Sequence, residues 1–371
     1  MKRRIDYIDG LKGLSAILVS LYHFMILGNF NGYVGYGTNY TNKEAIERIL
    51  NYPLSSFITN NSVGLYIFFV LIAIFPIMSY RRKNSDGKVM GRYACKRYFQ
   101  LLPMCLIMSV VMVIIYDCGF IHYDDISALT NHPWISTCNP NHTNILLAIK
   151  TLLFDSWLTN TQEITSLWCL YIVFKGSMYV YASYALFGQS KYKYLPALVL
   201  FVVSLADNNM LMFAFGSILG EIMSSEKTKS YSPILCVLLI IFSVCFMKMP
   251  MPLYPFEINQ AVPCSIGAFL IILSIMKCEF LQHLFSNKVL TFLSKISFEI
   301  VVCHPFMMGT IAYPLTVWLI GKMEFGFAFG LVIGVICTVL TIPFAYAVSR
   351  WITPLGGKLA KKVESICFEE N

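Results

Sequence analysis

The chain alternates long apolar runs with short polar clusters over its 371 residues. About 20 mostly apolar residues suffice for a helix to cross a bilayer. Runs of that kind recur near 9–28, 62–80, 98–118, 164–187, 193–206, 209–224, 231–248, 261–277, 295–319 and 325–349. They predict an all-α, polytopic membrane bundle of about ten spanning helices, a single integral membrane domain over residues 1–371. The fifth and sixth runs are short and are joined by the polar turn Ala206-Asp207-Asn208-Asn209; a single re-entrant pair is the alternative there.

Composition sharpens this. Hydrophobic residues make up 57% of the chain and charged residues only 13%, where soluble domains carry roughly 25% charged. A soluble core of this size cannot hide so much apolar surface, whereas a bilayer solvates it. The net charge of +8 raises nucleic acid as a partner, but the placement of the charges argues against one. With the N-terminus inside, the inner side collects Lys2, Arg3 and Arg4, then Arg81, Arg82, Lys83, Lys88, Arg92, Lys96 and Arg97. Lys191, Lys193, Lys227, Lys229, Lys277, Lys288 and Lys295 follow, with Arg350, Lys358, Lys361 and Lys362 in the tail. Outside lie only Lys43, Arg48, Lys150, Lys248 and Lys322. This positive-inside bias predicts both termini in the cytoplasm of a cell (plasma or inner) membrane.

The first run lacks a small-residue cleavage site and contains Lys12 and His23, so it reads as a retained helix. The twelve cysteines show no CxxC pair; Cys118 and Cys138, at the long outer loop, are the candidates for a disulfide. The largest extramembrane pieces are 29–61 and 119–163, both outside and rich in Asn, Tyr, Thr and His. Within the second, Asn144–Trp157 reads as an interfacial helix. Sequons begin at Asn39, Asn60 and Asn141. No internal repeat stands out.

Ionisable residues inside spans are costly and mark function by default. Lys12 and His23 are 11 residues apart, a rotation of about 1,100° and a rise of roughly 16 Å, so they share one face with Lys12 at the inner edge. Asp9 falls near that face. A basic group at the mouth and an imidazole deeper in suit a ligand entering phosphate-first, with the imidazole as general base. A snorkelling lysine and a histidine bonded across helices fit the spacing equally well. Lys175 shares a face with Trp168 and Tyr171, and needs a carboxylate partner or must lose its proton; Glu299, Glu221 and Asp9 are the candidates. His304 precedes Pro305, which frees backbone carbonyls beside it. His122, His132, His142 and His283 lie in loops without metal-ligand spacing, and no metal site is expected.

Several segments together resemble the acyltransferase-3 family of membrane acyltransferases. Tyr7-Ile8-Asp9-Gly10-Leu11-Lys12-Gly13-Leu14-Ser15-Ala16, ending in Leu21-Tyr22-His23-Phe24, is similar to its opening signature. Asn61–Leu71, Lys96–Pro103, Leu167–Met178 and Ile296-Ser297-Phe298 with His304-Pro305 resemble its later motifs. The resemblance spans the chain and implies transfer of an acyl group, commonly acetyl, from cytoplasmic acyl-CoA (acetyl-CoA) to a hydroxyl of a surface polysaccharide, another glycan or a small acceptor. On this reading acyl-CoA is a co-substrate and no bound cofactor is expected. His23, Lys175 and His304 are the catalytic candidates. Lys12, Arg92, Lys96 and Arg97 would hold the CoA phosphates, and Asp9, Trp168, Tyr171 and Glu299 would meet the acceptor. The chain departs from the pattern at Lys12 (usually Arg), Gln100 (Arg expected), Ile72-Ala73-Ile74 (usually Ser-Gly-Phe) and Val173, where the motif often carries Glu. These departures leave open a non-enzymatic membrane partner or binding protein. A small-molecule transporter is a further alternative, though no inverted repeat supports it.

Overall fold

The computed structural model describes residues 5–28, 61–130, 135–141, 144–159, 161, 167–225, 230–248, 252–253, 256–257, 259–324 and 326–368. Sequons Asn39 and Asn60 and nearly all of the first outer segment lie outside these residues. Helix α1 spans Asp6–Met25, α2 Asn61–Arg82 and α3 Gly87–Asp117. The short α4 (Tyr123–Thr130) and α5 (Ile145–Lys150) precede α6 (Trp168–Phe187). Then come α7 (Leu195–Ser204), α8 (Leu211–Met223), α9 (Pro233–Lys248) and α10 (Ala261–Met276). Helices α11 (Glu279–Phe285), α12 (Lys288–Lys295), α13 (Ser297–Met307), α14 (Tyr313–Leu319), α15 (Phe327–Trp351) and α16 (Thr353–Phe368) complete the described chain. The strands among the described residues are two-residue pieces, Pro252–Leu253 and Phe256–Glu257, paired antiparallel.

The protein is an all-α, polytopic membrane bundle. Among the described residues, five helical stretches are long and apolar enough to cross a bilayer: Asp6–Gly28, Ser62–Arg82, Gly87–Asp117, Ser297–Leu319 and Phe327–Phe368. The bent pair α10–α11 makes six if it is one span. Helix also lies at the other predicted places, but α7 and α8 are short. Their 10 and 13 residues reach roughly 15 and 20 Å at 1.5 Å per residue, against about 30 Å of hydrocarbon. At their open end Lys193 Nζ donates to the Glu221 carbonyl at 2.8 Å, and at their tip Asp207 meets Lys175. The pair thus enters and leaves on one side, which favours the re-entrant alternative and keeps the sidedness of all later elements.

The hairpin is pinned by charge. Arg81 donates through Nε and Nη2 to the Glu221 carboxylate at 2.7–3.0 Å, and through Nη1 to the Gly188 carbonyl and Ser85 Oγ. Glu221 is fully buried, a position a carboxylate keeps only when paired and hydrogen-bonded. Beside it the turn from α2 to α3 places Asn84 and Ser85 in the left-handed region, φ 55° and 59°. Asp86 then caps α3 by accepting from Lys88 N at 2.9 Å.

Close backbone approach explains the glycines of the opening motif. A Cβ on Gly10 would lie 1.7 Å from the Phe285 carbonyl oxygen, and one on Gly13 would lie 2.3 Å from that of Leu290. Any larger residue would push α1 away from α11 and α12, which flank Lys12. One apolar core gathers α2, α6, α8 and α10, and a second gathers the C-terminal half of α1 with α3, α4, α13 and α15.

The end of the bundle opposite the α2–α3 turn carries α4, a 3-10 turn at Ile135–Cys138 and the helical stretch from α5 through a π turn at Thr151–Asp155 to Ser156–Leu158. The predicted 144–157 helix is therefore present, with Leu146, Phe154 and Leu158 exposed as an interfacial segment requires. Cys118 and Cys138 form no disulfide: Cys118 is exposed just past the end of α3, whereas Cys138 is buried in the 3-10 turn.

Candidate active site

Between the two cores lies a cavity of about 290 Å³. At one end stand Lys12 of α1, Arg97 and Gln100 of α3, Ser294 and Lys295 of α12, Glu299 of α13 and Thr353 of α16. Apart from Ser297 its wall is otherwise apolar, with Phe68 and Phe69 of α2, Val173 of α6 and Val302 of α13 among its members. Lys12, Arg97 and Lys295 thus share this cavity with the Glu299 carboxylate. The Glu299 carboxylate accepts from Thr353 Oγ1. The Arg97 Nε is buried without a hydrogen-bond partner among the described residues. Lys12 Nζ lies 5.8 Å from the Phe68 ring centroid, close enough to Asp9, Glu299 and Arg97 to feel all three charges. An unmade guanidinium bond is costly when buried, and the same end of the cavity holds two lysines.

At its deep end the cavity is bounded by Val19 and Val302. Immediately beyond, the rings of His23 and His304 stack, centroids 4.8 Å apart and planes at 23°. His23 Nδ1 lies 2.8 Å from the Val19 carbonyl. A carbonyl only accepts, so Nδ1 carries the proton and the lone pair of the neutral ring sits on Nε2. His304 is 2% exposed. Its helix is held from the α4 end of the bundle: Tyr123 Oη donates to the Pro305 carbonyl at 2.5 Å, and His122 N donates to the Gly309 carbonyl at 3.0 Å. The second bond falls in the π turn Met308–Ala312 that follows Pro305, so this end takes up carbonyls that the broken helix releases.

The structure divides the residues singled out from sequence. Lys12, Arg97 and Glu299 line the cavity, and His23 stacks on His304 just beyond the lining residues Val19 and Val302. Asp9 stands just outside the lining, 3.5 Å from Ser294 Oγ. Trp168 packs edge-on against Phe69, behind the wall. Lys175 and Tyr171 lie elsewhere. Two residues past Val173, Lys175 is rotated about 200° away and pairs with Asp207 at 2.8 Å, over the Tyr171 ring. Its partner is therefore none of the three carboxylates expected; Glu221 is taken by Arg81 and Glu299 by Thr353. Arg92 and Lys96 are also apart, since Lys96 pairs with Glu364 at 2.9 Å and Arg92 lies over the Phe368 ring. Lys295, Ser294, Phe68 and Thr353 also line the cavity. Lys295 reads from sequence as one more inner-side charge and Phe68 as one residue of an apolar run, and Thr353 carries no signal before the fold places it.

A family model described as an acyltransferase domain matches residues 5–350. No curated protein and no solved structure matches the chain.

Proposed function

Because the chain belongs to the acyltransferase-3 family and is a membrane acyltransferase, we propose that it moves an acetyl group from cytoplasmic acetyl-CoA to a hydroxyl of a glycan or other small acceptor on the far side of a cell membrane. The observation that carries this reading is the cavity that Lys12, Arg97 and Lys295 line together with an apolar wall, with the stacked His23–His304 pair about one turn along α1 from its lining residue Val19. Lys12, Arg97 and Lys295 suit the CoA phosphates through charge-assisted hydrogen bonds. The apolar wall suits the pantetheine arm, which brings the thioester toward Val19 and Val302. The acceptor hydroxyl approaches His23 from the outer side, and both termini lie in the cytoplasm, as the charge bias requires.

Chemically, His23 Nε2 takes the hydroxyl proton while the oxygen attacks the thioester carbonyl. The C–S bond then breaks and the thiolate leaves, taking the proton back from the imidazolium as free CoA thiol. His304, stacked on His23, fixes the ring plane for this exchange. Val173 lines the cavity, so Glu299 is the carboxylate that the described residues bring to it.

The test is label transfer from radioactive acetyl-CoA to a membrane-bound product, comparing wild type with Val173→Trp, which fills the cavity. Transfer by wild type that falls at least about tenfold in the variant supports the reading; equal transfer by both overturns it.

A further inference from the structure

Helix α16 lies beyond the family-matched residues 5–350 and packs antiparallel on α3. A Cβ on Gly356 would lie 2.4 Å from the Gln100 carbonyl oxygen. Further along, Ala360 is buried and Glu364 pairs with Lys96 at 2.9 Å. At the end of the helix a Cβ on Gly91 would lie 2.9 Å from the Phe368 ring, over which Arg92 also stands. Positions 356, 360, 364 and 368 form one stripe at four-residue spacing, and it descends α3 from Gln100 to Gly91.

Two cysteines fall on this seam between the Lys96–Glu364 pair and the Phe368 contact. Cys95 is half-buried and donates to the Arg92 carbonyl at 3.4 Å, whereas Cys367 is exposed. Their thiols lie within hydrogen-bond reach of one another. A second close pair, Cys236 and Cys278, is buried on both sides and so is shielded from reagents. The seam is not, because Arg92, Lys96, Glu364 and the exposed Lys361 and Lys362 surround it with charge. Charges of that density belong in water rather than in hydrocarbon.

We propose that Cys95 and Cys367 form a redox modification site, oxidised by hydrogen peroxide to a disulfide that fastens the end of α16 to α3. Exposure makes Cys367 the first to react. Its sulfur attacks a peroxide oxygen, the O–O bond breaks, and Cys367 becomes a sulfenic acid as one water leaves. The Cys95 sulfur then attacks the Cys367 sulfur. The S–S bond forms, and the sulfenic hydroxyl departs with the Cys95 proton as a second water. Two thiols thus lose two electrons, and one peroxide is reduced to two waters. On the cytoplasmic placement proposed above, the reduced pair is the resting state and the bond is transient. The same two helices supply Gln100 and Thr353 to the cavity, so the bond fixes that edge of it.

The full-length protein in nanodiscs is treated with hydrogen peroxide, its remaining thiols are blocked with N-ethylmaleimide, and its peptides are mapped by mass spectrometry. Most chains are expected to yield a peptide pair joined through Cys95 and Cys367, which dithiothreitol separates. In C95S the resolving thiol is gone, so Cys367 stays a sulfenic acid and is captured by dimedone. These readouts depend neither on acyl transfer nor on the side that α16 faces. The proposal is overturned if both thiols remain open to maleimide after peroxide, or if Cys367 bonds to a second chain. Dimedone capture of Cys367 to the same extent in wild type and C95S overturns it as well.

Discussion

His23 on the first helix and His304 on the helix that precedes the late π turn stack face to face, 4.8 Å between ring centroids. They are 281 positions apart in the sequence. Their meeting turns two isolated intramembrane histidines into one unit just beyond the cavity lining.

If His23 is the base, His23→Ala lowers kcat by about 10²–10⁴-fold, the usual contribution of a positioned general base. The KM for acetyl-CoA changes little, because Lys12, Arg97 and Lys295 are untouched. His304→Phe keeps a ring against His23 and retains more activity than His304→Ala. Steady-state kinetics on the three variants checks this, and the reverse order for the His304 pair contradicts a role in fixing the ring plane.

The cations of the cavity make a different prediction. Arg97→Gln removes charge-assisted bonds worth about 1.5–3 kcal/mol, so KM for acetyl-CoA rises roughly 10–100-fold with a smaller effect on kcat. Lys12→Gln behaves similarly. Arg92→Gln has much less effect, since Arg92 lies over the Phe368 ring and away from the cavity. Titration of acetyl-CoA turnover distinguishes the two sets.

Two ion pairs separate structure from chemistry. Glu221 is fully buried against Arg81, and breaking such a pair costs about 3–5 kcal/mol. Glu221→Ala therefore lowers the thermal unfolding midpoint in detergent sharply. Lys175 and Asp207 pair at the tip of the α7–α8 hairpin, away from the cavity lining. Lys175→Met is therefore expected to keep near-normal transfer per folded molecule, which label transfer normalised to folded protein checks.

Much of this was legible in the chain itself. Lys12 and His23 share a helix face by simple rotation, and the fold puts one in the lining of a cavity and the other just beyond it. Glu299 was visible as an intramembrane carboxylate. Its bond to Thr353 was not, because that bond joins helices 54 positions apart, with no local pattern linking them. Lys175 misled for a related reason. Its face was read with Trp168 and Tyr171, but Asp207 sits in a polar turn whose height in the bilayer depends on how short α7 and α8 are. Arg92, Lys96 and Arg97 looked equivalent on one basic stretch. Only packing of α16 separates them, placing a carboxylate on Lys96 and leaving Arg97 to the cavity.

The central claim is that one route joins cytosolic acetyl-CoA, the cationic cavity and His23 to an acceptor on the other side. Sealed inside-out vesicles carrying the full-length protein, given radioactive acetyl-CoA outside only, test it most directly. Wild type is predicted to deposit acid-stable, ester-linked label on lumenal acceptor, and His23→Ala, inserted to the same level, to deposit almost none. Equal lumenal labelling by the two proteins would contradict the account.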